Sequence, residues 1–464
     1  MPDPSTHLLQ GDVRRLILRI ALPSTLAMLA SGVGVFLDAL LLARSGAHAA
    51  AASAAAYPLL LMIQTVGFTL GTGSGSAVSR LTGSGEWETA ARCAACALAL
   101  SLALGCAIAG GGLMLHGLLL RLLGTPQQAL PDAAAYTRCV LLSAPLSCLG
   151  FVVSSLLRGL GHTLPSLAAY ACGAAAGTGL SLLLTLHMGL GAHGAGIALL
   201  SREAVCTLIL AGCGLRQIRR ASFRRLLPLC IPRRSVLREI MRSGLPALLR
   251  QGSASTGSLL LSRACAAAGE AALSGMGLAM RTGALITSGM IGFGQGFQPV
   301  CGCALGAGET NRARTAYRFC MRCLVLSLAA VGAALYLCAG HLLAVSGAEA
   351  EAAAFGAAVL RAQALVLPAQ GAVILMTMLS QAAGRTVRSI FISSSRQGLF
   401  LIPLVLLLPR LMGRAGLVLC QSICDLLALP FCLLLSRGLF DSMPRRRGKS
   451  PPPSVDESPL PGVQ

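Results

Sequence analysis

The sequence predicts an all-α integral membrane protein of twelve transmembrane helices, built as two parallel six-helix repeats, and three observations predict it. The 464-residue chain is 55% hydrophobic and only 11% charged, with a mean hydropathy of +0.74; too little polar surface is left to dissolve a soluble domain. Apolar runs of about twenty residues or more, the length of a helical membrane crossing, recur from end to end. The second half of the chain repeats the first at a fixed offset. Continuous Leu, Ala and Gly runs mean helices, because membrane strands alternate apolar with polar. In hydrocarbon only a helix or a closed barrel satisfies its own backbone.

In order, the spans read as 16–43, 49–79, 93–120, 135–157, 164–188 and 194–215, then 240–261, 273–302, 319–345, 355–379, 389–408 and 415–435. The first is too long for a signal-peptide core, and no small-residue cleavage site precedes a soluble domain, so it is expected to stay as a helix. The expected organisation is a cytoplasmic N-terminus at 1–15, an N-lobe of six spans at 16–215 and a basic cytoplasmic linker at 216–238. A C-lobe at 239–437 and a disordered cytoplasmic tail at 438–464 complete it.

A formal charge of +21 suggests nucleic acid for a soluble protein. Here, with the N-terminus inside, most of the 37 Lys and Arg fall on the cytoplasmic side, as the positive-inside rule requires. The densest run holds Arg216, Arg219, Arg220, Arg224, Arg225, Arg233, Arg234, Arg238 and Arg242 and reads as an orienting loop. The tail adds Arg445 to Arg447 before Pro451 to Pro453. Surrounding membrane lipids, and no nucleic acid, are the expected macroscopic partners. Most of the 18 cysteines lie inside apolar spans and read as small hydrophobes. The pairs Cys93/Cys96, Cys301/Cys303 and Cys320/Cys323 lack companion ligands, so no metal is expected.

The repeat is read by sliding the chain on itself. Pro23 falls on Pro246, and the same offset pairs Gly71 with Gly294, Gly73 with Gly296, Gly83 with Gly306, Gly85 with Gly308 and Glu86 with Glu309. It continues through Arg138 and Arg361, Pro145 and Pro368, Gly161 and Gly384, then slips by three where Ala195-Gly196 meets Ala415-Gly416. Six spans is an even number, so both repeats enter from the same side, related by an axis along the membrane normal. That arrangement lets two lobes rock about a central cavity.

These residues resemble the MATE family, the multidrug and toxic compound extrusion transporters, and most closely its MepA-like branch. The first helix reads Ala21-Leu22-Pro23, then Asp38, then Gly46. The second half carries Leu249-Arg250-Gln251-Gly252, Gly292-Phe293-Gly294-Gln295-Gly296-Phe297-Gln298-Pro299 and Ser395-Arg396-Gln397-Gly398. The resemblance covers the chain from Gly11 to Phe440 and implies a V-shaped two-lobe bundle in the inner membrane. It further implies a monomeric antiporter, with no cofactor, that expels small organic compounds, often cationic, in exchange for protons or sodium ions.

An ionised side chain inside a span is a functional candidate by default. Asp38 is the expected ion-coupling acid, about two thirds of the way through an outward-running helix and where the resemblance places the family's ion-binding carboxylate. Its repeat position is Leu261, so one lobe alone holds this group. The expectation is a buried carboxyl without a cation beside it, loading a proton from outside. Glu203 follows Arg202 directly, and neighbours in sequence point to different sides of a helix, so each is expected to need another partner. Asp425 is expected to neutralise Arg250 or Arg396, with contact to substrate as the alternative, and Arg281 is also inside a span. Gln251, Gln295, Gln298 and Gln397 are candidates for a cavity wall.

The stretch Gly67, Gly71, Gly73 and Gly75 lacks the Lys-Ser/Thr ending of a phosphate loop and reads as close helix packing. His116, His187 and His341 sit near span ends. The fifth span offers Ser166, Thr178, Ser181 and Thr185 where the family commonly carries an Asn or Asp, and the tenth carries no acid. A proton is therefore the expected coupling ion, with sodium as the alternative. The runner-up function is a lipid-linked precursor flippase of the same superfamily, since Arg250, Arg281 and Arg396 could meet a phosphate. A membrane enzyme is not expected, because no catalytic constellation is present.

Overall fold

Every long apolar run folds into a helix. The computed structural model describes residues 8–45, 47–122, 130–220, 234–344, 349–437 and 439. The first repeat comprises α1 (Val13–Arg44), α2 (Ala47–Gly83), α3 (Trp87–Met114), the short α4 (His116–Leu122), α5 (Leu130–Gly159), α6 (Leu164–Ser181) with a π turn over Leu182–His187, and α7 (Gly191–Arg220). The second comprises α8 (Arg234–Ala267), α9 (Glu270–Gly306), α10 (Thr310–Ala344), α11 (Ala350–Ala382), α12 (Thr386–Ser394) with a π turn over Ser395–Phe400, and α13 (Leu401–Ser436). Much of the basic linker and nearly all of the tail lie outside the described residues.

Eight described stretches are long and apolar enough to cross a membrane. One of them, Thr386–Ser436, breaks at Gly413, whose φ of 56° and ψ of −130° leave the helix, so it makes two passes. Adding α2, α8 and α9, of 37, 34 and 37 residues, the described helices make twelve passes. Leu208, Leu326, Leu337, Leu365 and Leu411 stand exposed on the outside, a surface that lipid covers at no cost.

The repeat is visible in three dimensions. Helices α2 and α9 begin and end at the same offset that aligns Pro23 with Pro246, as do the ends of α1 and α8. Four glycines that carry the sequence repeat cap helices in the left-handed conformation, Gly85 and Gly308 at φ 80° and 82°, Gly161 and Gly384 at 86° and 68°. Each sits in the same paired-bond cap. The N–H of Glu86 donates to the Leu81 carbonyl and that of Gly85 to Thr82; His162 and Gly161 donate to Leu157 and Arg158 in the same way. Both patterns recur at Glu309/Gly308 and Arg385/Gly384, which is the Schellman geometry that only glycine adopts without strain.

Between the repeats, α1 packs on α9, α8 packs on α2, and α2 meets α9 on the pseudo-twofold axis. Each lobe lends the start of its first helix to the other's core. Ile17 of α1 is buried with Phe297, Leu324 and Leu375, while Ile240, its counterpart in the second repeat, is buried with Leu70, Cys96 and Val152. On the axis the backbones touch. A Cβ on Gly83 would fall 2.1 Å from the Cys303 carbonyl oxygen, and one on Gly306 would fall 2.1 Å from that of Arg80. Among the described residues, the close glycine contacts between lobes fall at 21–32 of α1, 69–83 of α2, 240–244 of α8 and 285–306 of α9, and at Gly384 against Arg80. The result is a two-lobed bundle joined at the end where α1 begins.

Candidate functional site

Within the first lobe, α1 brings Asp38 against the consecutive Arg202 and Glu203 of α7. Arg202 Nη1 donates to Asp38 Oδ2 at 2.5 Å, and Arg202 Nε donates to Glu203 Oε1 at 3.4 Å. The side chains are 12% exposed for Arg202 and 21% for each carboxylate, so the cluster is largely withdrawn from solvent. Glycines of α6 open the path: a Cβ on Gly177 would lie 2.8 Å from Arg202 Cβ, and one on Gly173 would lie 3.1 Å from its carbonyl oxygen. Two sequence expectations are corrected here. Asp38 does have a cation beside it, because those glycines let the α7 arginine reach across. Arg202 and Glu203 do pair, because Glu203 folds back along the guanidinium that Arg202 extends toward α1.

Two carboxylates and one guanidinium leave one net negative charge. Asp38 Oδ1 is buried with no partner among the described residues, so one lone-pair position of the cluster stands open. Leu261 is fully buried in the second lobe's apolar core, so the acid is not duplicated. Three of the four hydroxyls offered by α6 and its π turn are engaged elsewhere. Ser166 bonds Ser154 at 2.9 Å, and Ser181 bonds Thr185 at 3.5 Å.

In the second lobe, Arg396 lies in the π turn and its Nε pairs with Asp425 Oδ1 of α13. Asp425 is 2% exposed. The Gln370 amide, in the orientation its neighbours require, accepts from both Arg396 Nη atoms and from the Thr287 hydroxyl. Of the two partners open to Asp425 from the sequence, Arg396 is the one taken. Arg250 instead lies 5.3 Å above the ring of Phe68 on α2, a cation–π contact between lobes, with its Nε unpartnered among the described residues. Arg281 is exposed on α9 and joins neither group. Arg250, Arg396 and Asp425 together leave one net positive charge.

A third set closes the seam, and most of it was not anticipated. Arg80 of α2 donates to Glu239 Oε1 at 2.7 Å, Ser243 Oγ at 3.0 Å and the carbonyls of Gln381 and Ala382, all in the second lobe. Gln298 Nε2 donates to Ser76 Oγ across the seam at 2.7 Å. Arg312 holds the carbonyls of Leu8, Gln10 and Gly11. The four candidate glutamines do not line one wall. Gln295 and Gln298 are buried at the seam, whereas Gln251 is half-buried on α8 and Gln397 half-buried in the π turn. Gln295 and Gln298 sit where α9 meets α2, whereas Gln251 lies beyond the 240–244 stretch of α8 that meets α2. Cys93 and Cys96 pack in one apolar core, and Cys301, Cys303 and Cys320 in another.

An apolar bundle of two like lobes, joined at one end and charged between its helices, has the build of a membrane transporter. The MatE family profile matches residues 23–183 and again 246–407, once per repeat, and the chain belongs to that family. It is a MATE family secondary transporter and not an enzyme. Solved structures share its fold. "Crystal structure of MATE in complex with MaD3S" aligns at TM-score 0.88 with 23% identity, over 96% of this chain and 99% of that one. A MOP superfamily transporter from Pyrococcus furiosus, described as having a binding pocket of reverse polarity, aligns at 0.87 with 23% identity over 96% and 99%. A multidrug resistance MATE family transporter in an outward-facing conformation aligns at 0.88 with 24% identity over 95% and 98%. Comparison with curated protein sequences finds no match.

Proposed function

We propose that the chain is a multidrug efflux antiporter of the inner membrane, of the MepA-like branch, which exports organic compounds, cations foremost, in exchange for a proton. The observation that carries this reading is the Asp38–Arg202–Glu203 cluster, with one net negative charge and one open carboxylate oxygen. A single proton on Asp38 brings the cluster to neutrality; so does a single cationic substrate held nearby. The two are alternative neutralisers of one charge, which is the requirement for exchange. A proton fits better than sodium, because Arg202 occupies Asp38 Oδ2 and Ser166 and Ser181 bond elsewhere, so the open Oδ1 suffices for a proton while a sodium ion needs several oxygens around it.

Helix α1 links that charge to access. It carries Asp38 near one end, and near the other Ile17 and Ala21, which pack into the second lobe. Pro23 stands between them inside the helix, where the missing N–H lets the rod bend. Neutralising Asp38 loosens its hold on Arg202, and the change in α1 reaches the seam. With the termini cytoplasmic, as the basic linker and tail favour, the joined end faces the cytoplasm and the lobes open outward. Domain limits of 16–215 and 239–437 for the lobes belong to the same proposal. One proton moving through a potential of about 100 mV supplies about 2.3 kcal/mol, enough for roughly a 40-fold gradient of a neutral drug.

A second reading, export of an anionic or lipid-linked compound, has one observation in its favour: the net positive charge left by Arg250 in the second lobe. Everted vesicles separate the two. Addition of a fluorescent organic cation after energisation should dissipate the pH gradient with no sodium present. A strict sodium requirement would remove the proton assignment, and a response to anions alone would favour the second reading.

A further inference from the structure

We propose that a cavity in the seam, between Arg158 of the first lobe and Gln295 of the second, binds one small monovalent anion of about chloride's size and thereby holds the lobes closed at that end. The site lies outside the Asp38 cluster and does not depend on the direction or cargo of transport.

Arg158 stands in the last turn of α5 and is 5% exposed. Its guanidinium donates to Ser154 Oγ at 2.5 Å and Ser155 Oγ at 2.9 Å. Among the described residues no carboxylate reaches it at ion-pair distance. A buried charge with only neutral partners is unfavourable unless something else compensates it.

Gln295 faces the same space from α9. It is 3% exposed, and neither Nε2 nor Oε1 has a partner among the described residues. Unmet buried amide groups are rare in a plain core and point to an occupant. The cavity these two residues line, with Thr72, Ser155, Gln298 and the glycines of α2, has a volume of about 20 Å³, room for one water-sized particle. An anion neutralises the Arg158 charge, which a water cannot do, and Gln295 Nε2 has a free N–H to donate to it. The repeat places Gln381 opposite Arg158 and Thr72 opposite Gln295, so the charge is present once per molecule, on the axis side where the lobes meet. An ion held by groups of both lobes binds the closed seam and is released when it opens.

The full-length protein in lipid nanodiscs is to be melted in sodium chloride and in sodium gluconate at equal ionic strength and pH. Wild type should melt several degrees higher in chloride, saturably, with bromide able to replace it. Gln295→Leu should melt alike in both salts, and Arg158→Gln likewise if it folds. Bromide-soaked crystals of wild type should give an anomalous peak between Arg158 and Gln295. Equal melting of wild type in the two salts, an undiminished chloride effect in Gln295→Leu, or no peak in the cavity would each overturn the proposal, leaving water as the occupant.

Discussion

Asp38 and Glu203 share one guanidinium, and the charge count makes their substitutions unequal in effect on transport and stability. Asp38→Asn leaves a neutral Arg202–Glu203 pair, so yield and melting should stay near wild type while proton-driven efflux of a fluorescent cation is abolished. Retained efflux in washed cells would take Asp38 out of the mechanism. The second-lobe pair behaves oppositely. Asp425→Ala strands a buried Arg396 and should cost about 3–5 kcal/mol of stability, largely recovered when Arg396 is also replaced by Leu. Thermal melting of the single and double variants checks this; a mild single variant would contradict the burial of the pair. Asp38, Arg396 and Asp425 were legible as candidates because a charge within an apolar run needs either a partner or a function. Arg80, Arg158 and Glu239 were missed because the expected spans ended at residues 79 and 157 and began at 240, one position short of each. The helices run on past those limits, where Arg80 and Glu239 pair across the seam and Arg158 turns to Ser154 and Ser155 of its own helix.

Elements were legible where composition or a fixed offset determines them. The register that sets Pro23 on Pro246 located the four capping glycines, and the left-handed caps explain why glycine is kept at those places. Gly161→Ala should therefore cost about 1 kcal/mol, visible as a lower melting temperature, although no contact with a ligand is lost. The π turns at Leu182–His187 and Ser395–Phe400 were not legible, since an extra residue in a helical turn leaves no periodic trace in a run that is apolar all round. The second of these turns carries Arg396 toward Asp425, so the missed element positions a residue that the sequence had singled out. Likewise the pairing of α6 glycines with the α7 arginine is a relation between helices, which spacing along one helix cannot reveal.

For the whole molecule, the repeat predicted two lobes and an axis, but which end is joined depends on contacts distant in sequence. Arg80 with Glu239, and Gly83 and Gly306 against facing carbonyls, define that end. A Gly306→Val substitution places side-chain atoms where the Arg80 carbonyl lies. It should widen the lobe separation at this end, as read by spin labels on α3 and α10. An unchanged distance would mean the seam does not hold the conformation. Beyond geometry, transport rests on one exchangeable charge coupled to the cargo. Purified protein in weakly buffered detergent near pH 7 can be titrated with an organic cation while released protons are counted. With the titration repeated at falling pH, proton release per bound cation is predicted to rise toward one for wild type and to stay at none for Asp38→Asn; no release from wild type at any pH, or equal release from both, would contradict exchange at the Asp38 cluster.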